Sequence, residues 1–311
     1  PDDFEPVLPM SIRFGRPYGI PALHTACYLG LESWVTRLLR PRLGIWKRSE
    51  RNRPCGSKGH TPLIYAAARG HISIVDQLLR HRAKINTMDK FGMTALHHAV
   101  MQERVAVVDF LLKRGATTDP ARQEWLHVAT AAGNIDLIRP LLGHTTNRGV
   151  RKADGDTPLH FASKFGGVAV IQYLLDNGAD VHSRNIKQET PLHMAASEGR
   201  AEESQLLLRH GATVDARSDS GETPLHSAAT NGYLCERLTK IFLAAGADVN
   251  ARSHTGRTPL HDAARAGESN EVVHVLLRSG AKVDARTESG MTPLHEAARC
   301  TEPIQCIVRE L

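Results

Sequence analysis

The tetrapeptide Thr157-Pro158-Leu159-His160 decides the fold of this 311-residue chain. Four more intact copies follow at spacings of 33, 33, 35 and 34 residues, beginning at Thr190, Thr223, Thr258 and Thr292. Looser copies precede them and begin at Pro21, Thr61, Thr94 and Glu124. Self-similarity at a fixed period of this length is the signature of a repeat protein whose units stack on one another. The sequence therefore predicts nine stacked units.

Each residue type of the repeat motif has a physical role. The Thr hydroxyl can accept a free backbone N–H of a first helical turn, and Pro presets φ there at no cost in hydrogen bonds. Small pairs such as Ala195-Ala196 let neighbouring helices approach closely, and Gly199 permits the left-handed residue that ends a helix. Pairs such as Leu174-Leu175 give a second helix its apolar face. A helix pair of this kind must stack, because it cannot bury its own apolar face.

These motifs resemble those of the ankyrin repeat family, and the resemblance covers residues 20–311. It implies an all-α solenoid of stacked helix pairs with β-hairpin fingers, in which the ninth repeat is a C-terminal cap. The repeats are expected to begin near residues 16, 56, 89, 119, 152, 185, 218, 253 and 287. Residues 1–19 match no unit and are expected to form a leader or linker, and residues 40–56 a basic insertion.

Histidine is abundant, with 17 residues, and eight of them occupy the fixed fourth position of the repeat. The family resemblance implies that these eight hydrogen-bond between adjacent loops. They recur one repeat apart, about 10 Å, which is too far for two of them to share an ion. The other nine are scattered, and His295-Glu296 lacks the second His of a zinc-protease helix. No phosphate-binding or hydrolase motif is present. We therefore predict no metal, no cofactor and no catalytic residue.

Composition narrows the class of protein. Apolar residues make up 41% of the chain, too many for a disordered protein. No uncharged apolar run approaches the roughly 18 residues of a membrane span, so we expect no membrane insertion. The five cysteines form no C-x-x-C pair, which favours a reducing, intracellular location in the cytoplasm or nucleus. Cys27 and Cys300 are interpreted as small packing thiols rather than nucleophiles.

A binding groove is implied by the family resemblance, which places its lining just before each repeat Thr and seven or eight residues after it. The first half of the chain supplies aromatic, Met and basic side chains there, which are enriched at interface hot spots. The predicted groove residues are Tyr18, Tyr28, Lys58, Arg69, Lys90, Phe91, Met93, Met101, Lys164 and Phe165. The alternative is that several of them pack on their own fingers.

A ladder of arginines lies six residues before five successive repeat Thr residues, at Arg151, Arg184, Arg217, Arg252 and Arg286. None of them is followed by Asp, so these fingertip arginines could meet an acidic partner. The alternative is that they are ordinary solvated surface charges.

The net charge of +6 is concentrated in one segment, since residues 37–58 hold eight basic side chains and one acidic one. Within it, Lys47, Arg48, Arg51 and Arg53 could form a nuclear-localisation stretch or a patch for an acidic partner, and the alternative is a solvated loop. The rest of the chain is close to neutral, which makes nucleic acid an unexpected partner.

The fourth unit departs from the pattern, because its entry is Glu124-Trp125 and Pro140 falls inside its second helix. We interpret it as an irregularity between repeats 1–4 and 5–9. The sequence as a whole predicts a monomeric, non-enzymatic protein-interaction module, part of a larger regulatory or sensor protein, which binds another protein through the groove and fingertips. The alternatives are a small-molecule or catalytic role of the aromatic-lined groove in repeats 1–5, or an acidic or nucleic-acid partner at the basic insertion.

Overall fold

The computed structural model describes residues 21–39, 52–117, 124–144, 151, 154–230, 235–266 and 270–299. Within these ranges the chain forms 17 α-helices. In order they are α1 Ala22–Leu29, α2 Glu32–Leu39, α3 Pro62–Arg69, α4 Ile72–Arg80, α5 Ala95–Met101, α6 Val105–Lys113, α7 Glu124–Ala131, α8 Ile135–His144, α9 Pro158–Phe161, α10 Gly167–Asp176, α11 Pro191–Ser197, α12 Ala201–Arg209, α13 Pro224–Ala229, α14 Cys235–Ala244, α15 Pro259–Ala266, α16 Asn270–Arg278 and α17 Pro293–Ala298. A π-helical turn, Ala162–Gly166, continues α9.

The helices begin and end where the repeat pattern predicts. At α3 the Thr61 hydroxyl accepts a hydrogen bond from the Ile64 N–H (3.3 Å), and Pro62 is the first helical residue. Gly30 and Gly70 end α1 and α3 with φ of 78° and 84°, a left-handed conformation that favours glycine. The capping roles assigned to these residue types are therefore confirmed at these helices.

Stacking follows the helix pairs. The first helix of a repeat packs on the first helix of the next, as α1 does on α3 and α11 does on α13, while second helices such as α4 and α6 pack likewise. The alanine pairs sit in these contacts, and Ala66, Ala67, Ala195 and Ala196 have no exposed surface. Because the contacts run from one repeat to the next, the predicted all-α architecture of stacked helix pairs is confirmed.

The described residues group into two compact units, 21–125 with 136–144, and 126–135 with the residues from 151 onward. The division falls in the fourth repeat, where the sequence departs from the pattern. The helix α8 continues through Pro140 in that repeat. Among the residues described, no helix is long and apolar enough to cross a membrane.

The fingers between helix pairs are turns that are each closed by one backbone bond across five residues. Asn185 N–H donates to Glu189 O (3.0 Å), and Ser253 N–H donates to Arg257 O (2.9 Å). Adjacent fingers are joined by single backbone bonds such as Ile186 N–H to Asp154 O (2.9 Å). One backbone bond within a finger and one to the next finger are too few for a ladder of paired strands. In the described part of the chain the fingers therefore turn back as hairpins do, but they contain no paired strands. An isolated antiparallel bridge joins Cys55 and His60.

Glycine at the finger turns allows adjacent fingers to approach closely. Gly155 has φ +80°, and a Cβ added there would lie 2.8 Å from the Ile186 backbone nitrogen. Gly280 has a similar φ of +89°, but a Cβ there would meet nothing within 4 Å. Thus the two positions share the left-handed conformation and differ in the space around it.

We expect Gly280→Ala to lower the free energy of unfolding by about 1 kcal/mol through backbone strain alone. Gly155→Ala is expected to cost about 1–3 kcal/mol more, because the added methyl group also forces two fingers apart. Urea unfolding of both variants measures this difference. Equal losses would show that Gly155 does not set the approach of the fingers.

Candidate functional site: the fingers and first helices

The fixed histidines tie each first helix to the following finger. In repeats 5 to 8 their Nε2 atoms donate to the backbone carbonyl 29 to 31 residues further on, as His193 does to Glu222 O (3.2 Å). Their Nδ1 atoms accept the N–H of the repeat Thr, as in Thr190 N–H to His193 Nδ1 (3.1 Å). The structural role implied for these histidines is therefore confirmed in these repeats.

This bonding fixes the neutral state of the histidine ring. The Nδ1 atom must accept and the Nε2 atom must donate, so a second proton on the ring would break the bond from the Thr N–H. Burial lowers the pKa of His193 to about 4, against the carbonyl of Glu222, which acts in the opposite direction. Burial likewise lowers the pKa values of His160, His226 and His261.

The predicted fingertip arginines also bond within the repeat framework. Arg184 Nη1 donates to Gln188 O (3.0 Å) in its own finger and to Arg217 O (2.6 Å) in the next. Arg151 and Arg217 bond in the same way, Arg286 donates to the carbonyl four residues ahead, and the carbonyl of Arg252 accepts from Arg217. The guanidinium groups of four of these arginines, all except Arg252, therefore bond the fingers, and contact with an acidic partner stays a prediction.

Large apolar side chains of repeats 1 to 3 are exposed at the predicted groove. Tyr28 is 42% exposed, Met101 50% and Phe91 60%. Tyr28 and Met101 occupy equivalent positions near the ends of α1 and α5, and the exposed Arg69 of α3 lies over the Tyr28 ring at 4.0 Å. An exposed apolar surface rimmed by cations is a common feature of protein-binding sites.

The other predicted groove residues of these repeats lie on the fingers. Lys58 and Lys90 are exposed, and the Lys90 N–H donates to Lys58 O (3.1 Å) between two fingers. Met93 is half-buried and accepts the bond from Asp89 N–H (2.9 Å) that closes its finger. Backbone bonds therefore fix these three positions, and the two lysine side chains are exposed.

In the second compact unit, Lys164 and Phe165 lie in the π-helical turn after α9. Phe165 is 50% exposed, its ring lies 5.2 Å from the Lys164 Nζ, and Lys164 also pairs with Glu198 (3.5 Å). π-Helical turns are frequent at functional sites, because they turn side chains out of the regular helical register.

A chain of aromatic rings in repeats 1 to 3 was missed by the sequence analysis. The Tyr65 ring makes edge contacts with Tyr28 (5.8 Å between centroids) and with His60 (5.2 Å), and the His60 ring makes one with His98 (4.7 Å). These rings form a continuous series of contacts from the exposed Tyr28 to the first helix of repeat 3. His60 immediately precedes a repeat Thr, so the rule used for the groove could have included it.

The chain of rings ends on a buried carboxylate. Asp89 Oδ2 lies 2.9 Å from His98 Nε2 and 3.4 Å from His60 Nε2, and the Asp89 side chain has no exposed surface. Its Oδ1 accepts from the N–H groups of Phe91 (2.8 Å) and Met93 (2.9 Å). Burial alone would raise the pKa of Asp89, but the bonds from His98, Met93 and Phe91 bring it below its ordinary value.

A second buried charged group lies in repeats 8 and 9. Arg257 Nε donates to Asp262 (2.8 Å) and its Nη1 to Glu296 (2.7 Å), and a further bond reaches the His261 carbonyl (3.3 Å). The Asp262 side chain is 4% exposed and the Glu296 side chain 8%. Burial raises the pKa of Asp262 despite the guanidinium beside it.

Cys27 and one surface pocket bear on the alternative of a catalytic groove. Cys27 is fully buried, and burial raises the pKa of its thiol to about 12, so it is the packing residue predicted. Cys300 lies outside the described residues. A surface pocket of about 400 Å³ includes Glu236, Lys240 and His274 of the second helices α14 and α16, and none of its lining residues is a predicted groove residue.

Several predicted residues, Tyr18, Lys47, Arg48 and Arg51, lie outside the described part of the chain. Arg53 is exposed, and its carbonyl accepts from His24 Nε2 (2.8 Å). The neighbouring Asn52 Oδ1 accepts from Lys84 N–H (2.7 Å), as Asn250 does from Lys282 further along. These bonds join residues 52 and 53, near the end of the predicted insertion 40–56, to His24 and Lys84, and the bounds of the insertion stay a prediction.

A family model described as ankyrin repeats, in three copies, matches residues 23–123, 117–185, 181–253 and 235–309. The chain belongs to the ankyrin repeat family. The matches reach from α1 beyond α17, so the ankyrin assignment covers both compact units. Ankyrin repeats are in general protein-interaction modules, and the family is typically non-catalytic.

Three curated relatives illustrate the similarity. The human transient receptor potential cation channel subfamily A member 1 is 35% identical over 89 residues, which is 27% of this chain and 8% of the relative. The neurogenic locus Notch protein of Drosophila melanogaster is 35% identical over 126 residues, 34% of this chain and 5% of the relative. The ankyrin repeat protein nuc-2 of Neurospora crassa is 32% identical over 90 residues, which is 28% of this chain and 8% of the relative. The matched segments span less than a tenth of each relative.

Proposed function

We propose that the chain is an intracellular, monomeric protein-interaction module that binds its partner mainly through the exposed surface of repeats 1 to 3. The observation that carries this proposal is the exposure of Tyr28, Phe91 and Met101 on one run of fingers and first helices, at 42%, 60% and 50%. Large apolar side chains cost free energy in water, so their exposure together favours a surface that a partner covers.

The chemistry of this surface indicates the chemistry of the partner. Lys58, Arg69 and Lys90 are exposed beside the apolar residues, whereas the carboxylate of Asp89 is buried. A complementary segment would therefore present apolar side chains to Tyr28 and Phe91 and acidic side chains to the cations. An extended peptide or a loop fits a surface made of finger turns and helix ends. The fingertip arginines of repeats 5 to 9 would form a separate contact with acidic groups of a partner.

The test compares proteins that bind the purified chain with those that bind a Phe91→Ala/Met101→Ala variant. We expect the double variant to lose partner affinity by about 30-fold or more, the effect of removing a hot-spot residue of about 2 kcal/mol. Val283→Ala, which truncates an exposed apolar side chain before repeat 9, is the matched control and should bind normally.

Measurement of the affinity of a captured partner by calorimetry, at low and moderate salt, completes the test. A contact centred on apolar side chains should weaken only slightly with salt, because salt screens the rim charges and not the buried core. Retention of the full affinity by the double variant, or its loss in Val283→Ala, would contradict the assignment of the surface.

A further inference from the structure

Three positions of the repeat recur at each step from one repeat to the next, and we call this set a junction. It consists of the residue before a repeat Thr, the first residue of the next finger, and the residue after the fixed fourth position of that next repeat. Junction 2–3 is His60, Asp89 and His98, junction 5–6 is Asp156, Asn185 and Met194, and junction 8–9 is Arg257, Thr287 and Glu296.

The polar groups of the other two junctions pair with each other. In junction 5–6 the Asn185 amide donates to Asp156 Oδ1 (2.9 Å). In junction 8–9 the Arg257 guanidinium donates to Glu296 Oε1 (2.7 Å). In each case a donor meets an acceptor, and the side-chain pair is complete within the protein.

Junction 2–3 is different, because two imidazole nitrogens point to one carboxylate oxygen. His98 Nε2 is within hydrogen-bond distance of Asp89 Oδ2 at 2.9 Å. His60 Nε2 lies 3.4 Å from the same oxygen, is buried, and has no hydrogen bond in the described part of the chain. A buried polar atom without a hydrogen bond costs free energy, and here it lies in a group of three ligand-type atoms within 4.8 Å of one another.

The spacing of these atoms suits a small cation between them. Ligand atoms at 2.0–2.2 Å from a tetrahedral Zn²⁺ lie about 3.3–3.6 Å apart. The distance from Asp89 Oδ2 to His60 Nε2, 3.4 Å, is within this range, and that to His98 Nε2, 2.9 Å, is slightly below it. Two imidazoles and one carboxylate form a ligand set that divalent transition metals such as zinc prefer, whereas Ca²⁺ and Mg²⁺ prefer oxygen ligands.

The surroundings of the three ligands also fit a metal site. Asp89 Oδ1 is held by the N–H groups of Phe91 and Met93, which orients Oδ2 toward the histidines as outer-shell bonds do in metal proteins. The His60 and His98 side chains are 14% and 16% exposed, so the two rings lie near the surface although the His60 Nε2 atom is buried. A water molecule or a ligand atom of a bound partner would be the fourth ligand of a tetrahedral ion.

We propose that His60, Asp89 and His98 bind one divalent transition-metal ion of the zinc class, which joins repeat 2 to repeat 3. The site tethers the finger that carries Phe91 to the first helix of its own repeat and to the preceding finger. The proposal goes beyond the protein-interaction function and does not depend on it.

The test is a Zn²⁺ titration of the metal-free full chain in competition with a chromophoric chelator. The test variants use residues that this chain already carries at the equivalent junction positions: His60→Met as at Met291, Asp89→Asn as at Asn185, and His98→Met as at Met194. We expect one Zn²⁺ per wild-type chain at this site and a loss of affinity of at least about 100-fold in each variant, since outer-shell changes alone cost about 10–100-fold. His210→Gln, an exposed histidine outside the junction, is the matched control and should bind Zn²⁺ as the wild type does.

A Co²⁺ titration of the wild-type chain gives an answer that does not require the variants to fold. Binding by two imidazoles, a carboxylate and water should produce the intense visible absorption of tetrahedral Co²⁺, and Zn²⁺ should abolish it. Absence of this absorption, or equal Zn²⁺ affinity of the wild type and the folded variants, would overturn the proposal.

Discussion

Replacement of Arg257 by Met is expected to lower the free energy of unfolding by about 3–5 kcal/mol at neutral pH. The guanidinium bonds both Asp262 and Glu296, whose side chains are 4% and 8% exposed. Without it, two buried carboxylates lose the guanidinium that bonds both of them, and the desolvation of a charge that has lost its ion pair is the costly part of such a change. Urea unfolding followed by circular dichroism measures the loss.

A triple variant is the control for this prediction. It combines Arg257→Met with Asp262→Ser and Glu296→Met, which are the residue types found at the equivalent positions Met291, Ser227 and Met194. Replacement of a whole buried ion group by fitting neutral residues is often neutral or stabilising, so the triple variant should regain most of the lost stability. If it is as unstable as the single variant, the loss is due to packing of the arginine stem and not to the buried charges.

Acidification from pH 7.5 to pH 5 is expected to destabilise the folded chain strongly. His193 has a folded-state pKa of about 4, below the unfolded value of about 6.5, so the unfolded chain binds more protons than the folded one between these values. The stabilisation is thus complete above about pH 6.5 and is lost as the pH falls toward 4. His193 alone should account for about 2 kcal/mol of the loss at pH 5. His160, His226 and His261 shift in the same direction and add to it.

The urea midpoint measured at several pH values between 7.5 and 4.5 tests this expectation. His193→Ile is the matched variant, because Ile64 occupies the same fixed position in repeat 2. The variant should be less stable than the wild type at pH 7.5, because it lacks the bond to Glu222. Its unfolding should take up as much as one proton fewer, so the slope of its unfolding free energy against pH should be smaller by up to about 1.4 kcal/mol per pH unit. A pH dependence identical to that of the wild type would show that His193 is not held neutral by the fold.

Sequence reasoning predicts the framework because the framework depends on each residue in its own repeat. Thr61, Pro62 and Gly70 set the beginning and the end of α3 through contacts a few residues apart. The same residue types recur in most of the copies, so one motif predicts every first helix of the regular repeats. Even the bond from His193 to Glu222 follows a fixed offset along the chain.

The chemistry of the junctions could not be predicted in this way, since the three junction positions are the same in every repeat but carry different residue types. His60, Asp89 and His98 lie 29 and 9 residues apart, as the equivalent residues of junction 5–6 do, but their combination of two histidines and a carboxylate recurs at no other junction of the sequence. Their contact depends on how far the finger of repeat 3 lies from that of repeat 2. A search for pairs between the position before one repeat Thr and the position four residues after the next would have found both histidines.

The fingertip arginines show a second limit of the sequence. Their spacing places Arg184 at a fingertip, but only the structure shows that its Nη1 spans two fingers by bonding Gln188 O and Arg217 O. Spacing gives the location of a side chain along the chain, whereas its partners depend on the distance between turns. The arginine ladder therefore stabilises adjacent fingers whether or not a partner is bound.

The junctions also bear on the order in which the repeats assemble. A chain of near copies can stack the wrong copies together, because helices such as α11 and α17 begin with the same tetrapeptide. A misassembled stack that placed Glu296 over Asp156 would bury two carboxylates without a cation, at a cost of several kcal/mol. The native order instead places Arg257 at Glu296 and Asn185 at Asp156. Buried polar pairs thus favour the native order of the repeats, because a wrong neighbour would leave them without a matching partner.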